Sequence, residues 1–186
     1  FGAFSGFAAQ LGLLINQIYG PSSTFAENHD VASLPTGAAY AYLGPLIGAG
    51  VRALWGPLCD KFGGAIWTFI SGIGMAASLG WAALYLNPKD PSEFTWFLTA
   101  MLVFFFFTGL GNAGTFKQMP MILPKRQAGG VIGWTGAVGA FGPFIVGIML
   151  SMMAAPTFFW GCVIFFVITT ALVWVYYARP NAPYPG

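Results

Sequence analysis

The chain has 186 residues, of which 57% are hydrophobic, 18% aromatic and only 6% charged, with a formal net charge of +2. Soluble domains carry about 25% charged residues, so this composition excludes a water-soluble globule, which would lack the polar groups to cover its surface. Apolar runs near about 20 residues recur, the length that crosses a bilayer core as a helix, and the chain reads as an all-α integral membrane protein.

Six apolar segments are predicted, at about 1–19, 36–58, 65–86, 94–123, 129–154 and 157–178. The first opens on "FGAFSGF" with no methionine, polar lead-in or signal peptide, so the sequence is expected to be a fragment. The loop after it, "GPSSTFAENHDVASLPTG", holds the only histidine, His29, beside Asp30. His29 reads as a solvated loop residue, with a pH-sensing role as the alternative. The second segment carries Arg52 within "GAGVRALWGP" and runs into "CDKFGG"; the third runs into "NPKDPSE". The fourth is the longest. It carries Lys117 within "GLGNAGTFKQMP", and Pro120 is expected to bend or end it. After "PKRQAGG" comes a glycine-rich fifth segment, then "AAPT", a sixth segment and the tail "ARPNAPYPG".

The loops sort by charge. Alternate connections place Lys61, Lys125, Arg126 and Arg179 on one side, and Lys89 with Glu27, Asp30, Asp90 and Glu93 on the other. The positive-inside rule makes the first side cytoplasmic, which puts the C-terminus in the cytoplasm and the 20–35 loop outside. Trp96, Trp160, Trp174, Tyr176 and Tyr177 fall near segment ends, as interfacial aromatics do. The two cysteines, Cys59 and Cys162, fall near opposite faces, so no disulfide is expected.

Two charges remain, Arg52 and Lys117, and no Asp or Glu falls within the predicted spans. A charge at the bilayer centre costs about 2.5–3.5 kcal/mol on insertion scales. Arg52 precedes Asp60 by eight residues and Lys117 precedes Lys125 by eight, so each is expected about 12 Å from the cytoplasmic boundary, near the middle of a core about 30 Å thick. Two cations at one depth with no carboxylate beside them suit an anion. Three alternatives stay open: an acid from protein outside this chain, snorkelling of Lys117 to the surface, and Arg52 clamping backbone carbonyls. Arginine offers a planar fork for a flat oxyanion. Lysine is a point charge whose pKa falls on burial, so Lys117, with Asn112 from the same stretch, is a candidate for proton coupling or for supplying field at the substrate.

The 26 glycines recur at spacings of three or four: Gly133, Gly136, Gly139 and Gly142; Gly109, Gly111 and Gly114; Gly44, Gly48 and Gly50. In lipid such spacings let helix backbones approach closely. "GPLIGAGVRALWGP" and "GWTGAVGAFGPFIVG" resemble each other, and each is the middle span of a group of three, the mark of a three-plus-three inverted repeat in secondary transporters.

Four stretches carry a family resemblance. "GPLCDKFGG" is similar to the major facilitator loop G-x-x-x-D-[RK]-x-G-G between spans eight and nine. "FGAFSGF" resembles the seventh span of the nitrate/nitrite porters, "GLGNAGTFKQMP" their tenth, and "GGVIGWTGAVGAFGPFIVG" their glycine-rich signature helix. The chain therefore resembles the C-terminal half, spans seven to twelve, of a nitrate/nitrite porter. The resemblance implies a six-helix half of a major facilitator fold, completed by a missing N-terminal six-helix half. It implies nitrate held between one arginine from each half and enclosed by aromatic rings. Arg52 matches the arginine of this half, Phe1 a ring position, and Gly136 and Gly139 the signature helix. Pro143 departs from the pattern where another small residue is expected, which puts the helix geometry there in question.

The expected function is transport of nitrate or nitrite in the cell membrane by alternating access, as proton symport or as nitrate/nitrite exchange. Another small or organic anion is the alternative substrate, and a sensory or structural subunit the alternative class. An enzyme is not expected: the histidine lies in a loop, the spans hold no acids and the cysteines are isolated. No cofactor, metal or nucleic-acid partner is expected.

Overall fold

The computed structural model describes residues 1–23, 26–27 and 33–184. His29 and Asp30 lie outside the described residues. Eight α-helices follow in chain order: α1 (Gly2–Ile18), α2 (Gly37–Tyr40), α3 (Leu43–Phe62), α4 (Gly64–Ala83), α5 (Glu93–Ile122), α6 (Lys125–Gly139), α7 (Gly142–Met152) and α8 (Ala155–Val173), closed by a π-helical turn at Trp174–Ala178. No strand occurs among the described residues. Among the described residues, four helical stretches are long and apolar enough to cross a membrane: Gly64–Ala83, Glu93–Ile122, Lys125–Met152 and Ala155–Ala178. α1 is a little short, at 17 residues, and α3 carries Arg52, Asp60 and Lys61.

Several boundaries differ from the expected ones for local reasons. α5 runs on through Pro120 and stops two residues later at Ile122. α3 passes its own Pro57 and continues beyond the apolar segment to Phe62. It ends where Gly63 takes φ 85°, a conformation that side chains disfavour and glycine accepts. The expected 129–154 span starts earlier, at Lys125, so the basic loop is helical, and it is interrupted at Ala140–Phe141. Pro143 supplies the cause: it has no N–H to donate to the carbonyl of Gly139, four residues back. Ser5 Oγ donates to that carbonyl instead, at 3.1 Å.

The core is aromatic. Phe7 of α1 lies 4.8 Å from Phe104 of α5 and 5.5 Å from Phe159 of α8, ring centre to ring centre. Phe97, Phe104, Phe105 and Tyr19 are fully buried with them. Edge-to-face contacts of this kind add about 0.5–1.5 kcal/mol each beyond the area they bury.

Ring and ion-pair contacts also define the two ends of the bundle. Tyr19, just past α1, packs on Phe94 of α5 and donates to the Tyr85 carbonyl after α4. At the other end Phe69 of α4 stacks 4.8 Å from Trp174, and Lys117 of α5 reaches Asp60 of α3. Lys61 and Arg179 thus share one end, while Lys89, Asp90 and Glu93 sit at the other, the grouping the charge pattern gives.

Candidate functional site

Gly44, Gly48 and Val51 form the buried stripe of α3. Gly48 lies so close to α5 that a side chain on Gly109 would strike its carbonyl. Arg52 follows Gly48 by four residues, so it projects from the edge of that stripe, and it is exposed. Its guanidinium lies over the ring of Phe116, 5.4 Å from the centroid, a contact worth about 0.5–1 kcal/mol at an exposed position. Among the described residues Arg52 has no carboxylate within ion-pair distance and no hydrogen-bond partner. Its N–H groups remain available.

Phe116 in turn meets Phe1 edge to face, with ring centres 6.5 Å apart and planes at 87°. Phe1 is 41% exposed and its ring rests on Gly139, where an added Cβ would lie 2.7 Å from Cδ1. Helices α1, α3, α5 and α6 therefore contribute Phe1, Arg52, Phe116 and Gly139 to one chain of contacts. Gly136, one turn away on α6, has open space where a side chain would be and takes no part in them. Phe116 was not singled out from the sequence. In a span this rich in phenylalanine, only its contact with Arg52 distinguishes it.

Two expectations need correction. Lys117 is not an isolated ammonium: Nζ lies 2.8 Å from Asp60 Oδ2, with the two side chains 43% and 54% exposed. Asp60 was assigned to a loop, but α3 continues past it and carries the carboxylate within reach. The pairing draws the ammonium towards Asp60, eight positions beyond Arg52 on α3. Asn112, grouped with Lys117, lies five residues before it and so faces a different side of α5. It is buried and lines a cavity whose wall also includes Phe1 and Gly139 but not Arg52.

Cys59 and Cys162 are both free thiols. Among the described residues no group of three or more His, Cys, Asp or Glu side chains could hold a metal ion. What the Arg52 cluster offers chemically is one uncommitted planar cation beside two aromatic rings. It can give parallel hydrogen bonds to an oxyanion while ring edges, which carry partial positive charge, face it.

Fold and site together define a multi-pass membrane protein with a cationic, aromatic-walled patch on an exposed face. No protein-family model matches the chain. Among curated proteins it is 45% identical to "Probable nitrate/nitrite antiporter NarK2" of Thermus thermophilus over its whole length. It is 27% identical to "Nitrate/nitrite transporter NarU" of Escherichia coli over 96% of its length, and 31% identical to "Nitrate/nitrite transporter NrtP" of Nostoc punctiforme over 73%. The chain spans 41% and 42% of the first two relatives, in the C-terminal region of NarK2. It belongs to the nitrate/nitrite transporter family.

Proposed function

We propose that this chain is the C-terminal six-span half of a major facilitator transporter that moves nitrate or nitrite across the cell membrane by alternating access, with its C-terminus in the cytoplasm. In this reading α1 and α3 complete the six spans as two groups of three, and an N-terminal half supplies the facing wall. The names of the relatives support the substrate. The observation that carries the reading is Arg52: a guanidinium on an exposed face, without a carboxylate among the described residues and braced on Phe116. A charge so placed has a large desolvation cost in a membrane protein, which an anionic guest would offset.

Nitrate is flat and monovalent, so two of its oxygens can take parallel N–H bonds from one guanidinium while Phe1 and Phe116 border it. If a second arginine faces Arg52 from the other half, the anion draws the halves together and favours an occluded state. Rocking of the halves about the bound anion then gives alternating access. We place Gly139 in this site as the surface on which Phe1 rests, and Gly136 on the part of α6 that meets the other half. Lys117, paired with Asp60, joins α3 to α5 at the end we assign to the cytoplasm. Whether the cycle is proton symport or nitrate/nitrite exchange does not bear on this geometry.

The test is Arg52→Lys in the full-length transporter, with nitrate binding measured by calorimetry and uptake by tracer. The charge stays and the fork goes. A charged hydrogen bond contributes about 1.5–3 kcal/mol, so affinity should fall about 10- to 100-fold and uptake nearly vanish. Nitrate affinity close to that of the parent protein would remove Arg52 from the site.

A further inference from the structure

We propose that the outer face of α4 and α5 is a docking site for one anionic phospholipid, with its headgroup at Lys61 and an acyl chain in the furrow beyond. The furrow measures about 420 Å³. It runs from Ile70 to Trp81 on α4, about 16 Å along the helix, long enough for most of an acyl chain in a leaflet about 15 Å deep. Residues 70, 74, 77 and 81 recur at spacings of four, three and four, so they share one face. Gly74, Ala77 and Ser78 supply the small side chains that hollow it, and Ile70, Trp81 and Phe107 of α5 the large ones that wall it. The lining carries no charge, and its one hydroxyl, that of Ser78, is already spent on the Gly74 carbonyl at 2.6 Å. At the far end Trp81 packs on Trp96, with ring centres 6.2 Å apart.

The near end leads to a cation. Lys61 Nζ lies over the ring of Phe62, 5.2 Å from its centroid. Phe62 is exposed and meets Trp67 edge to face, with ring centres 6.5 Å apart. Trp67 is fixed between α3 and α4 by a hydrogen bond that its Nε1 donates to the Leu58 carbonyl at 3.4 Å. It precedes Ile70 by three residues on α4, the spacing of one helix face. Ammonium, rings and furrow therefore follow one path. Among the described residues Lys61 has no carboxylate within ion-pair distance, because the adjacent Asp60 is taken by Lys117.

What covers this face has to be apolar along α4 and anionic at Lys61. α4 is long and apolar enough to cross a membrane, and Ile70 and Ile73 are exposed on it, so its surroundings supply acyl chains. A small anion would answer Lys61 and leave the furrow empty. A neutral hydrocarbon would fill the furrow and leave the ammonium alone. A lipid phosphate does both, since lysine binds phosphate as a point charge and the chain follows the headgroup inward. The outward face of α8 offers the comparison: Ile164 and Ile168 are as exposed, but α8 carries no Lys or Arg. Arg52 and Phe116 take no part, so the lipid site does not rest on the anion site proposed above.

The test uses the full-length transporter in phosphatidylcholine nanodiscs holding a trace of phosphatidylglycerol or phosphatidylcholine with the same diazirine-bearing acyl chain. After photolysis, peptide mass spectrometry compares labelling of residues 70–81 with that of residues 160–172 on α8. Phosphatidylglycerol should label the α4 segment about fivefold more than phosphatidylcholine does, the attraction of one lysine for an anionic lipid. The two probes should label α8 equally. Excess unlabelled phosphatidylglycerol should compete at α4 only. Lys61→Gln should remove the preference at α4 and leave α8 unchanged. Ala77→Phe fills the furrow from an exposed position and should bring α4 labelling down to the α8 level; Lys61→Gln carries the test should that variant fail to fold. Equal labelling of α4 by the two lipids, or a preference that survives Lys61→Gln, would overturn the proposal. So would an unlabelled α4 segment, which would mean that protein covers this face.

Discussion

Glycine serves opposite ends in two parts of this molecule. At most positions along α3, α4 and α5 it is a packing residue, with Gly50 and Gly56 of α3 the open exceptions. A Cβ on Gly64 would meet the carbonyl of Gly114, one on Gly109 would meet that of Gly48, and one on Gly74 would enter the ring of Phe107. Along α6 as far as Gly136 the same residue touches nothing: Gly129, Gly130, Gly133 and Gly136 have no atom within 4 Å of where a side chain would begin. The most apolar part of α5 is 50% buried, and that of the α6–α7 stretch 11%. The change comes at Gly139, one residue before the break at Ala140–Phe141: Gly139 presses on Phe1, and beyond the break Gly142 presses on the backbone of Gly2. Small-residue spacing therefore identifies a helix face made for close approach, and says nothing about which partner approaches.

The largest expected effect falls on the packed side. Gly109→Ala drives a methyl into a backbone carbonyl that cannot rotate away, and overpacking of this kind costs about 1–3 kcal/mol or more. In the purified full-length transporter the unfolding midpoint should drop by about 5–10 °C, or no folded protein should be recovered. Gly133→Ala, the same change on α6, should leave the midpoint within about 2 °C. Equal losses at the two positions would end the contrast.

That contrast also shows what the sequence reveals and what it conceals. The apolar lengths located α4 and α5 to within a few residues, because hydropathy responds directly to immersion in lipid. Among the described residues Lys61 and Arg179 fall at one end of the bundle and Lys89, Asp90 and Glu93 at the other for a related reason, since each lies just past an apolar run. Hydropathy does not respond to helix continuation into polar sequence. α3 therefore ran four residues past its expected end, and Asp60 changed from a loop marker into the partner of Lys117. Arg52 was legible because a charge in an apolar segment requires an explanation. Phe116 was not, because only the crossing of α3 and α5 selects it from its neighbours. Pro143 was legible as a departure, and the physical consequence, a Gly139 carbonyl left to Ser5, needed the approach of α1.

An intermediate effect is expected where α3 and α5 are joined by charge rather than by glycine. Lys117→Gln and Asp60→Asn should each destabilise the transporter slightly, and the double variant should lose less than the sum. A half-exposed pair of this kind couples by about 0.2–1 kcal/mol. A double-mutant cycle on denaturation midpoints measures it, and 1 M salt should reduce the coupling. Strict additivity would mean that the ion pair holds nothing, and that ring and glycine contacts such as Trp55 on Phe106 and Gly48 on Gly109 fix the α3–α5 seam.

The smallest effect on stability, and the one that separates fold from function most cleanly, is expected at Gly136. A methyl there meets open space in this chain, and alanine favours helix over glycine by about 1 kcal/mol, so the folded protein should be unharmed. If α6 meets the N-terminal half of the transporter at this face, the same methyl intrudes when the halves close on the anion. The cost then falls on the closed state alone, at about 1–3 kcal/mol by the overpacking scale, which is roughly a 5- to 150-fold loss of nitrate uptake. Unfolding and tracer uptake measured on one preparation give both numbers. Unchanged stability with reduced uptake places a moving interface on α6. Unchanged uptake would show that these glycines stay open throughout the cycle, and reduced stability would show that α6 is packed in the full-length protein as tightly as α5 is here.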